Sequence, residues 1–170
     1  MSYPRLSSGD RAWIEAYRRR RDALYRDLIG AHFTLVFGLD TLSAEEIGAE
    51  AERLLAGVKS IDFELTLATI NKDRFVADTF HEFLVPEKGY AGIAKLHDRL
   101  YSGLLRPHLR LDIDYIPHVG IGNGSDPDAV KARVEAINAR GVAIAGSVET
   151  VDLIELRDNR VRTLRRYMLD

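Results

Sequence analysis

His32 and Thr34 stand two residues apart in Ala31-His32-Phe33-Thr34-Leu35-Val36-Phe37, and His118 stands in Ile116-Pro117-His118-Val119-Gly120-Ile121-Gly122. Side chains alternate along extended backbone, so His32 and Thr34 share one face while Phe33, Leu35 and Phe37 take the other. The same alternation pairs His118 with Gly120 and turns Val119 and Ile121 inward. Two imidazoles placed in this way suit a displacement at phosphorus. One takes a proton from water and the other gives a proton to the departing hydroxyl. Attack and departure are roughly in line, so the two groups act from opposite sides. An unperturbed pKa near 6.5 lets one copy be neutral and the other charged at pH 7. Each proton transfer contributes roughly 10²–10⁴ in rate. The Thr34 hydroxyl and nearby backbone N–H groups are candidates to bind the non-bridging oxygens.

Several elements must position these residues. Apolar residues at helical spacing predict a helix from Ser8 to Leu28, containing the run Arg18-Arg19-Arg20-Arg21. That run is either a solvated helix face or a phosphate-facing patch. Ala31 to Phe37 has strand composition and is closed by Gly38. Ser43 and Glu46 have the spacing of a capping box, so a second helix starts there. Ile61 to Ile70 alternates strictly, with Ile61, Phe63, Leu65 and Leu67 on one face, as a half-buried antiparallel strand does. Asn71-Lys72-Asp73 reads as a turn, followed by one or two strands between Arg74 and Val85. A third helix spans Tyr90 to Leu105, and Leu109 to Tyr115 is irregular or extended. Ile116 to Gly122 is a strand. Asp126 before Pro127 is a helix start. Val142 to Leu156 supplies one or two strands, and Arg160 to Leu169 a last one.

The order strand, helix, strand, hairpin occurs twice, over about residues 29–86 and 115–170. His32 and His118 occupy matched places, 86 positions apart. Two such units predict one α+β domain over residues 1–170, built as two lobes about a pseudo-two-fold axis. Each lobe is an antiparallel sheet covered by helices, and both histidines face the cleft between them. A lone histidine on a strand is most simply a half-buried sheet residue with a backbone partner. A matched pair in a repeat favours chemistry.

His-x-Thr/Ser-x, with x hydrophobic and the motif occurring twice, is the signature of the two-histidine (2H) phosphoesterase superfamily, which includes the 2′-5′ RNA ligase-like and cyclic phosphodiesterase proteins. The chain resembles that family in both motifs, in their separation and in element order. His32-Phe33-Thr34-Leu35 matches in full. His118-Val119-Gly120-Ile121 keeps the histidine and both apolar positions but has Gly120 where Thr or Ser is expected. The resemblance implies a bilobal, metal-independent phosphodiesterase. Its substrates would carry 2′,3′-cyclic, 1″,2″-cyclic or 2′-5′ linkages. It also implies His32 and His118 as the acid–base pair, with their roles open, and Thr34 on the phosphate. Gly120 would lack one hydrogen bond to the phosphate, or would admit a closer or bulkier ligand.

Composition narrows the alternatives. The 170 residues contain no cysteine and five histidines, with a net charge of −2. Thiol nucleophiles, Cys-ligated metals and disulfide scaffolds are excluded. No global positive field draws in long nucleic acid, so the expected partner is a small nucleotide or an RNA end. No apolar run reaches the ~20 residues that span a bilayer and no secretory signal is visible, so the expectation is a cytoplasmic protein without a membrane or cofactor. His97, His108, Asp112, Asp114 and His118 could form a metal cluster, but HExxH and His-x-His spacings are missing. His81 and His97 are expected at the surface. Tyr115 is a candidate to stack on a base. Arg160, Arg162 and Arg166 fall on one face of the last strand and Arg165 on the other, either as a solvent face or as a strand holding phosphates. A phosphate-binding module that has lost turnover is the rival reading.

Overall fold

Period-two hydrophobicity and well-signalled helix starts produce an α+β architecture. The computed structural model describes residues 1–170. In chain order the elements are β1 (Arg5–Leu6), α1 (Ser8–Arg21), α2 (Ala44–Leu55), β2 (Ile61–Lys72), β3 (Phe80–Lys88) and α3 (Tyr90–Leu100), followed by β4 (Val119–Gly124), α4 (Pro127–Ala139), β5 (Ile144–Val148), β6 (Thr150–Arg157) and β7 (Arg160–Met168). The main sheet is antiparallel and has the order β1-β5-β2-β3-β4; β6 and β7 form a separate two-stranded sheet. Strands from both halves of the sequence are therefore interleaved in one sheet. No helix is long and apolar enough to cross a membrane.

The caps read in the sequence are present. Ser43 Oγ accepts from Glu46 N, and the Glu46 carboxylate accepts from Ser43 N. Asp126 caps α4 through the N–H groups of Asp128 and Ala129. Helix α1 is shorter than its hydrophobic pattern suggests, ending at Arg21 instead of near Leu28. The Asp22 carboxylate accepts from Tyr25 N and from the Arg18 guanidinium, and this draws the chain off the helix axis. The four arginines fill the last turn, where cations favour the negative end of the helix dipole. Helix α3 likewise stops at Leu100, before the expected Leu105, and Leu104 is exposed.

The core lies between the main sheet and the helices, around Ile14, Phe33, Phe63, Leu65, Leu84, Val119 and Ile121. One side of β2 departs from strict alternation. Leu67, expected inside, is 50% exposed, while Ala68 is buried. A register irregularity between Leu65 and Leu67 switches the faces. Asn138 of α4 mends the interruption, donating to Ala68 O (2.9 Å) and accepting from Ala68 N (2.7 Å).

The stretch Ala31 to Phe37 is not a strand. Only Phe33 pairs, with Ser2 on one side and Val119 on the other. Three of its other backbone groups are met by side chains in place of a ladder. Tyr115 Oη donates to Thr34 O (3.0 Å), His97 Nδ1 donates to Leu35 O (2.8 Å), and Phe37 N donates to Tyr101 Oη (3.1 Å).

Candidate functional site

The double pairing of Phe33 determines where the first histidine lies. Phe33 is fully buried and packs edge-on against Phe63, which fixes the segment in depth. Its antiparallel bridge to Val119 sets His32 beside Gly120 and Thr34 beside His118 on the opposite face. All four residues line one cavity of about 1700 Å³.

Both histidines carry the same brace. His32 Nδ1 lies 2.8 Å from Gly30 O, and His118 Nδ1 lies 2.6 Å from Ile116 O. A carbonyl oxygen only accepts, so Nδ1 holds the hydrogen in each ring. Each neutral imidazole therefore keeps a basic Nε2. At His32 that nitrogen is 3.2 Å from Thr34 Oγ1, and the hydroxyl donates to it. In both copies the bond runs to the carbonyl two residues earlier, so the matched spacing in sequence becomes a matched tautomer.

Burial pulls both pKa values from 6.5 down to about 4. The carbonyl bonds act in the opposite sense, since they favour the charged ring. For His118, charge on His32 and on His81 lowers it further. With both values well below neutrality, both rings are neutral at pH 7.

Strand β3 supplies a contact that the sequence did not signal. The Phe83 ring stacks on His118 with centroids 3.6 Å apart and planes 20° from parallel. His81 stacks in turn on Phe83 at 5.7 Å, and its Nε2 bonds Asp73 Oδ2 at 2.7 Å. The register irregularity in β3–β4 makes this possible. Glu82 pairs with Gly122 and Phe83 with Gly120, so Ile121 is the extra residue and Phe83 is brought opposite the histidine strand.

The two glycines of β4 have different reasons for being glycine. A Cβ on Gly122 would lie 2.8 Å from Glu82 Oε1. Glu82 is fully buried and anchored by Tyr17 Oη (2.5 Å) and Arg133 (2.6 Å), so it cannot retreat. A Cβ on Gly120 meets nothing within 4 Å. The missing Thr or Ser of the second motif is therefore not enforced by packing.

Other expectations are corrected. His97 is not at the surface: it is 3% exposed, bonded to Leu35 O, and its ring stacks on Tyr115 at 3.5 Å. Tyr115 lines the cavity, but one of its ring faces rests on His97 and its hydroxyl holds Thr34 O. His81 is half-buried and paired with Asp73, also away from the expected surface position. No three His, Asp or Glu side chains converge as metal ligands. Of the residues considered as metal ligands, Asp112 pairs with Arg110 and Asp114 with Arg74. Arg18 leaves its run to form a buried ion pair with Asp22 at 2.9 Å, while Arg19, Arg20 and Arg21 stay exposed. On β7 the cavity side is Val161, Leu164 and Tyr167. Arg160, Arg162, Arg165 and Arg166 are all exposed; Arg165 pairs with Glu52, and Arg166 pairs with Asp152, a buried residue at the cavity wall.

The roles of Phe83 and His97 lay in long-range pairing, and nothing adjacent to them in sequence could have disclosed it. Comparison with curated proteins gave no match. The model of the 2′-5′ RNA ligase superfamily matches residues 6–160, nearly the whole chain and both histidine motifs, and the chain belongs to that family.

Proposed function

We propose that the protein hydrolyses a 2′,3′-cyclic, 1″,2″-cyclic or 2′-5′ phosphodiester of a nucleotide or RNA end, with His32 and His118 as the acid–base pair. The observation that carries this reading is the shared brace: two Nδ1–H groups fixed on carbonyls, leaving two Nε2 atoms for one cavity. In the forward step the neutral Nε2 of one ring takes a proton from water. The water oxygen bonds phosphorus, the ester P–O bond breaks, and the other ring, protonated at Nε2, gives its proton to the departing hydroxyl. Exchange with solvent resets both rings. The Thr34 hydroxyl turns from His32 to a non-bridging oxygen, and the backbone N–H groups beside Gly120 are the nearest substitute for the missing second hydroxyl.

Two neutral rings cannot start this step, so one proton must enter with the substrate. An anionic phosphodiester between the rings favours an imidazolium, which offsets the burial that disfavours it. Binding of a phosphate anion should therefore take up protons and tighten as pH falls from 7 toward 5. Isothermal titration in buffers of different ionisation enthalpy reads that uptake directly.

His32→Ala and His118→Ala should each abolish hydrolysis of a 2′,3′-cyclic nucleotide while far-UV circular dichroism stays unchanged. Wild-type protein inert toward a panel of cyclic and 2′-5′ substrates would refute the proposal. Gly120 supports one second reading, a nucleotide- or phosphate-binding module of the same fold with weakened turnover. That reading expects thermal stabilisation by ligand, reduced by Thr34→Ala, without product.

A further inference from the structure

The loop between β2 and β3 presents Phe75 with 67% of its surface exposed, although it lines the same cavity as the two histidines. An aromatic ring this open contributes little to the core. The loop is nonetheless held firmly. Asp73 Oδ1 accepts from Phe75 N (2.6 Å) and Val76 N (2.8 Å), and Asp73 N donates to Thr79 O (2.8 Å). The other carboxylate oxygen of Asp73 meets His81, so the loop and the ring stack ending on His118 share one anchor. From the segment before the second motif, Arg110 places its guanidinium 4.9 Å from the Phe75 ring centroid. Asp112 holds that guanidinium through two bonds of 2.8 and 2.6 Å, and Arg74 to Asp114 (3.3 Å) ties the loop to the same segment. Arg110 therefore covers part of the ring and leaves the rest open.

We propose that Phe75, backed by Arg110, is the platform on which the substrate's nucleobase stacks. A flat, cation-backed ring on a braced loop suits a π-face, which every base has, and stacking of this kind tolerates any base. It assigns the substrate end to a nucleoside and leaves the phosphodiester to the histidines. The inference rests on the phosphodiesterase reading above and adds which part of the substrate is recognised and where.

The test compares adenosine 2′,3′-cyclic phosphate with ribose 2,3-cyclic phosphate, which lacks the base, in wild type, Phe75→Ala, Phe75→Leu and Phe75→Trp. Loss of one stacked base should raise KM for the adenosine substrate about 5- to 150-fold in the Ala and Leu variants. Their kcat should stay within about twofold, and Trp should retain wild-type KM. The base-free substrate should show the same KM in all four proteins. An unchanged KM for the adenosine substrate in Phe75→Ala, or an equal rise for both substrates, would overturn the platform and leave the histidine site standing. Should wild type turn over neither compound, the comparison is made by calorimetric binding of adenosine 2′-monophosphate against ribose 2-phosphate. Tighter binding of the adenosine compound that is lost in Phe75→Ala supports the platform even without turnover. Equal binding overturns it, and no binding of either removes both the platform and the reading beneath it.

Discussion

Gly120→Ser tests the site with a single atom group. Position 120 faces the cavity beside His32, and a Cβ built there has no neighbour within 4 Å, so the backbone need not move. The strand conformation suits a hydroxyl-bearing residue at least as well as glycine. The added Oγ restores the Thr or Ser pattern of the first motif, and on the proposed function it would reach the phosphate. One hydrogen bond to a charged group contributes about 1.5–3 kcal/mol. If that bond strengthens in the transition state, kcat/KM for a 2′,3′-cyclic nucleotide should rise about 10- to 150-fold, by the tenfold-per-1.4 kcal/mol conversion. Phosphorus NMR of the cyclic substrate opening to the monoester follows the reaction without a label. Thr34→Ala in the same background separates the two hydroxyls. If they serve one phosphate, the loss on removing Thr34 should be smaller in Gly120→Ser than in wild type. A folded Gly120→Ser protein with unchanged or lower kcat/KM would refute the reasoning. It would mean that the open space at Gly120 is used by the substrate itself, or that backbone N–H groups already saturate the phosphate.

Three further outcomes follow from the geometry. Phe83→Leu keeps apolar bulk but removes the ring stacked on His118, so kcat should fall roughly two- to tenfold with little change in KM. The limb of the pH–rate profile that reports the protonated histidine should move with it, which loss of structure alone would not cause. Gly122→Ala forces a methyl to 2.8 Å from the anchored Glu82 carboxylate and should cost about 1–3 kcal/mol in urea unfolding. Because the folded pKa of His32 and His118 lies near 4 and the unfolded value near 6.5, the unfolded chain binds more protons in that interval. Stability should therefore decline as pH falls from 6.5 to about 4, and the contribution is constant outside that window. His118→Asn should flatten the decline in Tm, and an equal slope in both proteins would count against the buried neutral ring.

Much of the site's layout was legible because it is local. The motif His32-Phe33-Thr34 carries its own alternation, and Asp126-Pro127 and Ser43 with Glu46 name their helix starts without help. The parts that escaped are those settled by distant partners. Ala31 to Phe37 has the composition of a strand, yet side chains of Tyr115, His97 and Tyr101 take the bonds a neighbouring strand would supply. Leu67 loses its place in the core to a bulge that no period-two count detects. His97 looks like a surface residue on a polar helix until its Nδ1 meets Leu35 O across 62 positions. Gly120 and Gly122 are indistinguishable as letters, and only the buried Glu82 beside one of them separates their meanings.

The bracing of the first histidine segment also bears on when during folding the histidine cavity forms. Thr34, Leu35 and Phe37 are held from residues 81, 62 and 64 positions away, and Phe33 is paired with Val119. Few of these contacts reward the chain until the loops between them have closed, and closing them carries an entropy cost that local helices and the β2–β3 hairpin escape. The geometry around His32 should therefore be a late product of folding. During refolding from urea, helix and sheet signals should return before phosphate binding does, and the interval between them measures the time taken to seat one seven-residue segment.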